Sequence, residues 1–331
     1  MSNKIKDTDY LVISARIRAM ETGLLTGERM EQILSARSDE EVVKLLQENG
    51  YPEMSLESPE AMDAAIIAAR EETLRDLDDS APDRRYLDIF KLKYDYHNAK
   101  AILKAQVLGT NPDHMLADLG RVPAEELKEA ITGGEGNQLP PLLAFAIAEG
   151  KEVLDTTRDP QLGEMVLDRW RYRDELETAK ETGSEFLQGY VRVSIDAANL
   201  RALVRTIRMG KTEAFLEGVL FSGGSVDESE VLEVACDCGD SIEELYAGTE
   251  LEAAAKAGFD ALKGGGLTKF EKLCDDAVSG YLSGAQLVAF GEAPLIGYLA
   301  ARETEYTNLR ILLMGRAAGL DPEIIRARLR T

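Results

Sequence analysis

Apolar residues recur along this chain at helical spacing, and no stretch alternates convincingly as a half-buried strand does. Three stretches share one stripe. Asp95, Asn98, Ala99 and Ile102 stand at i, i+3, i+4 and i+7, and so do Asp196, Asn199, Leu200 and Leu203. Glu305, Asn308, Leu309 and Leu312 repeat the same spacing. Residues so spaced lie on one face of a helix. Each stripe begins polar and turns apolar, so the acid and the Asn are expected at the end of a packed seam. A base follows each Asn by two positions: Lys100, Arg201 and Arg310. The three Asn lie 101 and 109 residues apart. A period of that size predicts repeated structural units, with boundaries near 1–110, 111–211 and 212–331.

The rest of the pattern fills in helices around these three. A first helix is expected over 9–24. Thr26 reads as the N-cap of a second, and Ser38 with Glu41 as the capping box of a third. The third should bury Val42, Leu45 and Leu46 and end at Asn49-Gly50. Pro59 opens a long helix to about 77, whose run 64–69 is apolar nearly all round and is expected to be buried. After a break at 80–82 the first signature helix spans 84–108, closed by Gly109. Short helices follow at 112–119 and 123–132, then a loop at 133–141 (GGEGNQLPP) and a helix at 142–149. Residues 160–183 and 184–210 read as two long helices, or one with a bend, and Gly210 closes the second signature as Gly109 closes the first. Helices at 250–263 and 268–283 flank a glycine loop, and the last long helix runs over 294–315. Three segments resemble one another as short helices with an acidic first turn: those beginning Val122-Pro123, Val226-Asp227 and Leu320-Asp321. The segment from Asp240 likewise echoes that from Arg37.

Composition narrows the function. The 331 residues are 44% hydrophobic but only 6% aromatic, and the formal net charge is −22. That balance argues against a nucleic-acid partner and against adsorption to anionic lipid. The charge is also uneven, with residues 84–104 and 191–211 each at +4 and 300–331 at +2. Two readings follow: ordinary salt bridging between helices, or three related basic elements facing an acidic partner. On the second, Arg84, Arg205 and Arg208 are the docking charges. Cys236, Cys238 and Cys274 make no disulfide framework and read as reduced thiols of a cytosolic protein. Lys4, Lys6, Asp7 and Asp9 interrupt any N-terminal apolar run, so no signal peptide is expected. The apolar stretch 142–148 falls far short of the roughly 20 residues a membrane span needs.

Candidate chemistry is sparse. Gly210-Lys211-Thr212 has the tail of a phosphate loop, but Arg205 stands where that loop needs Gly, and a helix precedes it where a strand is needed. His97 and His114 are the only histidines. His97 lies between Asp95 and Asn98, yet Ala198 and Thr307 occupy the matching positions, so it reads as a surface or packing residue. Trp170 is either a packing residue or a partner anchor. The acid–Asn–base sets either fasten neighbouring helices or form a ligand or catalytic cluster. Fastening is the simpler reading, because one helix offers an acid, an amide and a base but no nucleophile. No cofactor or metal site is expected.

Three stretches carry a family resemblance: Tyr94-Asp95-Tyr96-His97-Asn98-Ala99-Lys100, Ser194-Ile195-Asp196-Ala197-Ala198-Asn199-Leu200-Arg201 and Glu303-Thr304-Glu305-Tyr306-Thr307-Asn308-Leu309-Arg310. With Ala15-Arg16-Ile17-Arg18-Ala19-Met20-Glu21 and Leu167-Asp168-Arg169-Trp170, the chain resembles the central-stalk socket component of V-type and A-type rotary ATPases. That component is the C subunit of prokaryotic complexes and the d subunit of eukaryotic ones. The resemblance implies an all-α, funnel-like single assembly of three pseudo-threefold-related helical repeats, with no catalytic site. It implies two sets of partners, the central-stalk subunits and the membrane proteolipid ring, with torque passed between them during proton or sodium transport. Placement would be cytoplasmic and peripheral, touching the membrane only through the ring. The rival readings are a helical scaffold or adaptor of another complex, and an enzyme using the acid–Asn–base sets as a metal or phosphate site.

Overall fold

The computed structural model describes residues 7–133 and 139–330. Its regular elements are all helical, and the described residues contain no strand. After a 3-10 turn at Asp7–Tyr10 come α1 (Leu11–Glu21), α2 (Gly27–Ser35), α3 (Asp39–Glu48), α4 (Pro59–Ser80) and α5 (Arg85–Leu108). There follow α6 (Ala124–Gly133), α7 (Pro141–Thr157), α8 (Pro160–Thr182), α9 (Glu185–Arg208), α10 (Glu213–Val219), α11 (Glu228–Cys236) and α12 (Ile242–Leu245). The chain finishes with α13 (Glu252–Leu262), α14 (Leu267–Ser283), α15 (Ala293–Ala317) and α16 (Pro322–Arg326).

Local chemistry accounts for most of these ends. Thr26 caps α2 by accepting from the Arg29 N–H, and Ser38 caps α3 by accepting from Glu41. Glu41 reaches back one residue further than a standard capping box, to the Arg37 N–H at 2.7 Å. Ser58 caps α4 with Pro59 in its first turn. Asp227 and Glu230 form a full capping box on α11. Gly109 and Gly210 follow the first two signature helices in the left-handed region, at φ 66° and 60°, a conformation glycine adopts without a Cβ penalty. Gly183, likewise left-handed, divides α8 from α9.

Some expected boundaries move. Helix α7 runs on past Gly150 to Thr157, beyond the end expected at 149. Gly150 faces inward, and a Cβ there would lie 3.4 Å from a Leu103 methyl and 3.7 Å from Leu167. It ends nothing; it lets α7 lie close to α5 and α8. The segment 112–119 holds only a 3-10 turn, Asp113–Met115. The run 64–69 of α4 is not buried all round, since Ala64 and Ala68 face solvent while Met62, Ile66 and Ala69 form the buried stripe. Alanine favours helix on either face, so an alanine-rich run says less about burial than its hydropathy suggests. Most of the expected loop at 133–141 lies outside the described residues.

Packing groups the chain into two compact units. One combines the described residues of Met1–Asp83 and Glu250–Thr331, and the other is Arg84–Thr249. In the first, α15 packs on α1, α4 and α14. Its core joins Ile33, Val42, Leu46 and Ile66 to Tyr306, Leu309 and Leu312. In the second, α8 packs on α5, α7 and α9. Leu92, Tyr96, Ile102, Leu127, Leu143 and Leu167 lie in its core.

Candidate functional site

All twelve stripe positions are buried. Asn98 is fully enclosed, Asn199 is 1% exposed and Asn308 9%. Their amides all make the same pair of bonds. Asn98 donates from Nδ2 to the Ala117 carbonyl (2.8 Å) and accepts the Ala117 N–H on Oδ1 (3.0 Å). Asn199 does this with Phe221, at 2.9 Å in both directions. Asn308 does it with Arg330, at 2.9 and 2.7 Å. Each Asn therefore satisfies both polar groups of one peptide residue in the segment after its helix. A carboxamide can do this because it carries donor and acceptor side by side.

The acids hold a second stretch of backbone. Asp95 Oδ1 accepts from the Val122 N–H at 3.1 Å. Asp196 Oδ1 accepts from Val226 at 3.1 Å, and both its oxygens accept from Ser225 at 2.9 Å. These approaches need glycine: a Cβ on Gly120 or Gly224 would stand 2.1 Å from Oδ1 of Asp95 or Asp196. Glu305 Oε2 accepts from the N–H of Leu25, 280 residues earlier, at 2.8 Å. Leu25 precedes the capped start of α2 as Val122 and Val226 precede the starts of α6 and α11. The third signature thus takes its acid-bound segment from near the N-terminus. Its Asn-bound segment follows α16, as the Phe221 segment follows α10. Helix α16 is the counterpart of α10, which corrects the sequence alignment of Leu320-Asp321 with Val122-Pro123.

Around these shared bonds the three sites differ. Arg121 bridges two carboxylates, with Nε 2.8 Å from Asp95 Oδ2 and Nη2 2.9 Å from Asp174 Oδ2. The Tyr96 hydroxyl donates to the same Asp174 oxygen at 3.2 Å. Burial pushes the Asp95 carboxyl above the usual carboxylate range, against the pull of Arg121 and the Val122 N–H. Burial alone would lower Arg121, but Asp174 and Asp95 outweigh it and hold the guanidinium firmly charged. At the third site Glu305 Oε1 accepts from the Tyr51 hydroxyl and from Arg302. Burial and the adjacent Glu305 raise Tyr51 far above a normal phenol, so it stays a donor. Tyr306, one residue after its acid as Tyr96 is, donates to the Ala69 carbonyl (2.9 Å) and lies 2.7 Å from the Thr73 hydroxyl. Thr73 and Asp174 each stand 22 residues before the acid of the next signature, Asp95 and Asp196.

The bases are also engaged. Lys100 Nζ meets Asp168 at 2.8 Å, joining α5 to α8. Arg310 takes Asp63 through Nε at 2.6 Å and Nη2 at 3.0 Å, joining α15 to α4. Arg201 is half-buried, while Arg84, Arg205 and Arg208 lie at the surface, and none of the four is without a partner. His97 is exposed beside the Met115 carbonyl at 3.0 Å. Gly210-Lys211-Thr212 is a helix junction, with Thr212 capping α10 and no strand before it. Sequence reasoning missed Arg121, Arg302 and Tyr51, which lie outside the repeated pattern. The Gly-x-Val pairs Gly120-Arg121-Val122 and Gly224-Ser225-Val226 were a legible signal for the acid-bound segments.

Known proteins resemble this chain over nearly its whole length. The model of the ATP synthase (C/AC39) subunit family matches residues 13–328. The C subunit of the V-type sodium ATPase of Enterococcus hirae is 26% identical over 323 residues, covering 97% of this chain and 98% of that protein. The C subunit of the A-type ATP synthase of Methanocaldococcus jannaschii is 26% identical over 350 residues, covering 96% and 85%. That of Thermococcus kodakarensis is 26% identical over 343 residues, covering 97% and 90%.

Proposed function

The chain belongs to the ATP synthase (C/AC39) subunit family, and we propose that it joins the central stalk to the proteolipid ring of its rotary complex. It is a non-catalytic subunit of a V/A-type ATPase. In this reading it transmits torque and sits peripherally on the membrane-bound complex; no helix among the described residues is long and apolar enough to cross a membrane. The observation that carries the reading is the threefold recurrence of one fastening: an Asn and an acid, buried on a helix, each gripping backbone of a separate segment. The polar groups of the signatures are used to stiffen joints, which is what a torque-bearing part needs. All three Asn and all three acids of the stripes are hydrogen-bonded, and buried bonds of this kind rigidify the elements they join.

The same recurrence supports three equivalent repeats around 1–110, 111–211 and 212–331. In the third the acid-bound segment comes from the first, so the copies link cyclically. Arg84, Arg205 and Arg208 are the proposed docking charges, with electrostatic complementarity setting partner and register. Native membranes would be solubilised and the protein pulled down, with stalk and ring subunits scored. Recovery of both is expected. Recovery with neither, or undiminished assembly of the Arg205→Glu/Arg208→Glu variant, would count against stalk-to-ring coupling or against the docking charges respectively.

A further inference from the structure

One surface of the Arg84–Thr249 unit has a character that fastening does not explain. On α7, Phe145 is 60% exposed, and Pro141 and Ala148 are exposed on the same side, four residues before and three after it. From α8, the Trp170 ring lies against Phe145 with centroids 6.2 Å apart and planes at 28°. The Arg173 guanidinium sits 4.8 Å from the Trp170 centroid. The indole is locked in place: Nε1 donates to Glu149 Oε2 at 2.7 Å, and Arg169 takes the other Glu149 oxygen at 3.0 Å. Arg169 thereby neutralises Glu149. Among the described residues Arg173 has no carboxylate partner, and its contact is the ring.

An exposed phenyl on a rigidly held indole, with a guanidinium lacking a counter-ion, is an unusual grouping for a solvated face. Trp and Arg are the residues that dominate binding energy at protein interfaces, and Phe is enriched there. Pro141 to Ala148 spans about two helical turns, roughly 10 Å, the footprint of one packed helix. Covering this face would strip water from Arg173, and a cation so covered needs a carboxylate. A lipid surface is the poorer match, because binding anionic headgroups takes a cluster of basic residues, and this chain carries −22.

We propose that the Phe145–Trp170–Arg173 face docks a helix of another subunit of the rotary complex, one carrying a carboxylate among apolar residues. The partner's membership of that complex rests on the function proposed above. The test places a benzophenone amino acid at position 145, assembles the full-length protein into complexes in native membranes, irradiates them and identifies the crosslinked peptide by mass spectrometry. The expected product is a helical peptide of another subunit of the complex with an Asp or Glu among apolar residues. Arg173→Glu should lower the crosslink yield about ten-fold or more while leaving the protein's melting unchanged, since Arg173 is exposed. Changing the partner's carboxylate to Lys should restore the yield in the Arg173→Glu background. A crosslink to lipid or to residues 134–138 of this chain, no crosslink in assembled complexes, or an Arg173→Glu yield equal to wild type would each overturn the assignment. Failure of the wild-type protein to join the complex would instead sink both this surface and the coupling function, which separates the two.

Discussion

Replacing Asn199 with alanine tests the fastening directly. The side chain is 1% exposed, and its amide alone satisfies both the N–H and the C=O of Phe221 through the 2.9 Å pair. Truncation leaves two backbone groups without those partners, at about 1–3 kcal/mol each where water cannot reach them. The lost packing of a small side chain adds less. A total near 3–4 kcal/mol is a large share of a domain's usual 5–15 kcal/mol. Asn98→Ala should cost about the same, since Asn98 is equally enclosed. Asn308→Ala should cost roughly half as much, because Asn308 is 9% exposed and water can replace part of the amide. Urea unfolding of the purified protein gives the stability difference, and amide hydrogen exchange at Phe221 gives the local one. Exchange at Phe221 should accelerate more than at core amides of α9. A loss under about 1 kcal/mol for Asn199→Ala, with Phe221 exchange unchanged, would show that the paired bonds do not hold this joint.

Gly120→Ala and Gly224→Ala should each lower the melting temperature, because the new methyl collides with an acid that cannot retreat without breaking its backbone bonds; an unchanged melt would place the 2.1 Å approach in error. Arg121→Ala should cost about 3–5 kcal/mol by leaving Asp95 and Asp174 facing each other, and adding Asp174→Asn should recover part of that, read by denaturant titration. The Glu31 carboxyl is held below its ordinary range by its bond to Arg326. Such a group stabilises the fold above its unfolded pKa and loses that effect as the pH falls through its lower folded value. The melting difference between wild type and Glu31→Gln should therefore be positive at neutral pH and shrink progressively as the pH falls below the ordinary carboxylate range and through the lower folded value. It should also shrink in high salt, since the pair is exposed.

Most of the long helices, the caps at Thr26 and Ser38 and the three stripes could be read directly off the chain. Those properties are local: a stripe at 3.6-residue spacing, an N-cap serine or threonine, and a glycine able to turn left-handed act over a few residues and can be read in order. The sequence also carried the likeness to the rotary ATPase family, because acid, Asn and base recur in one register. What each Asn binds, and what Glu305 binds, was decided only in three dimensions; for Asp95 and Asp196 the Gly-x-Val pairs were the one local hint. Asn98 to Ala117 spans 19 residues and Leu25 to Glu305 spans 280, and nothing in local spacing marks either partner. The third site was the least legible, since its parts stand in permuted order along the chain. Helix α7 shows the same limit on a smaller scale. Gly150 has the form of a helix stop, and only the closeness of Leu103 and Leu167 reveals it as a packing residue. Local propensity chooses the element; burial and the need to satisfy every enclosed polar group choose its neighbours.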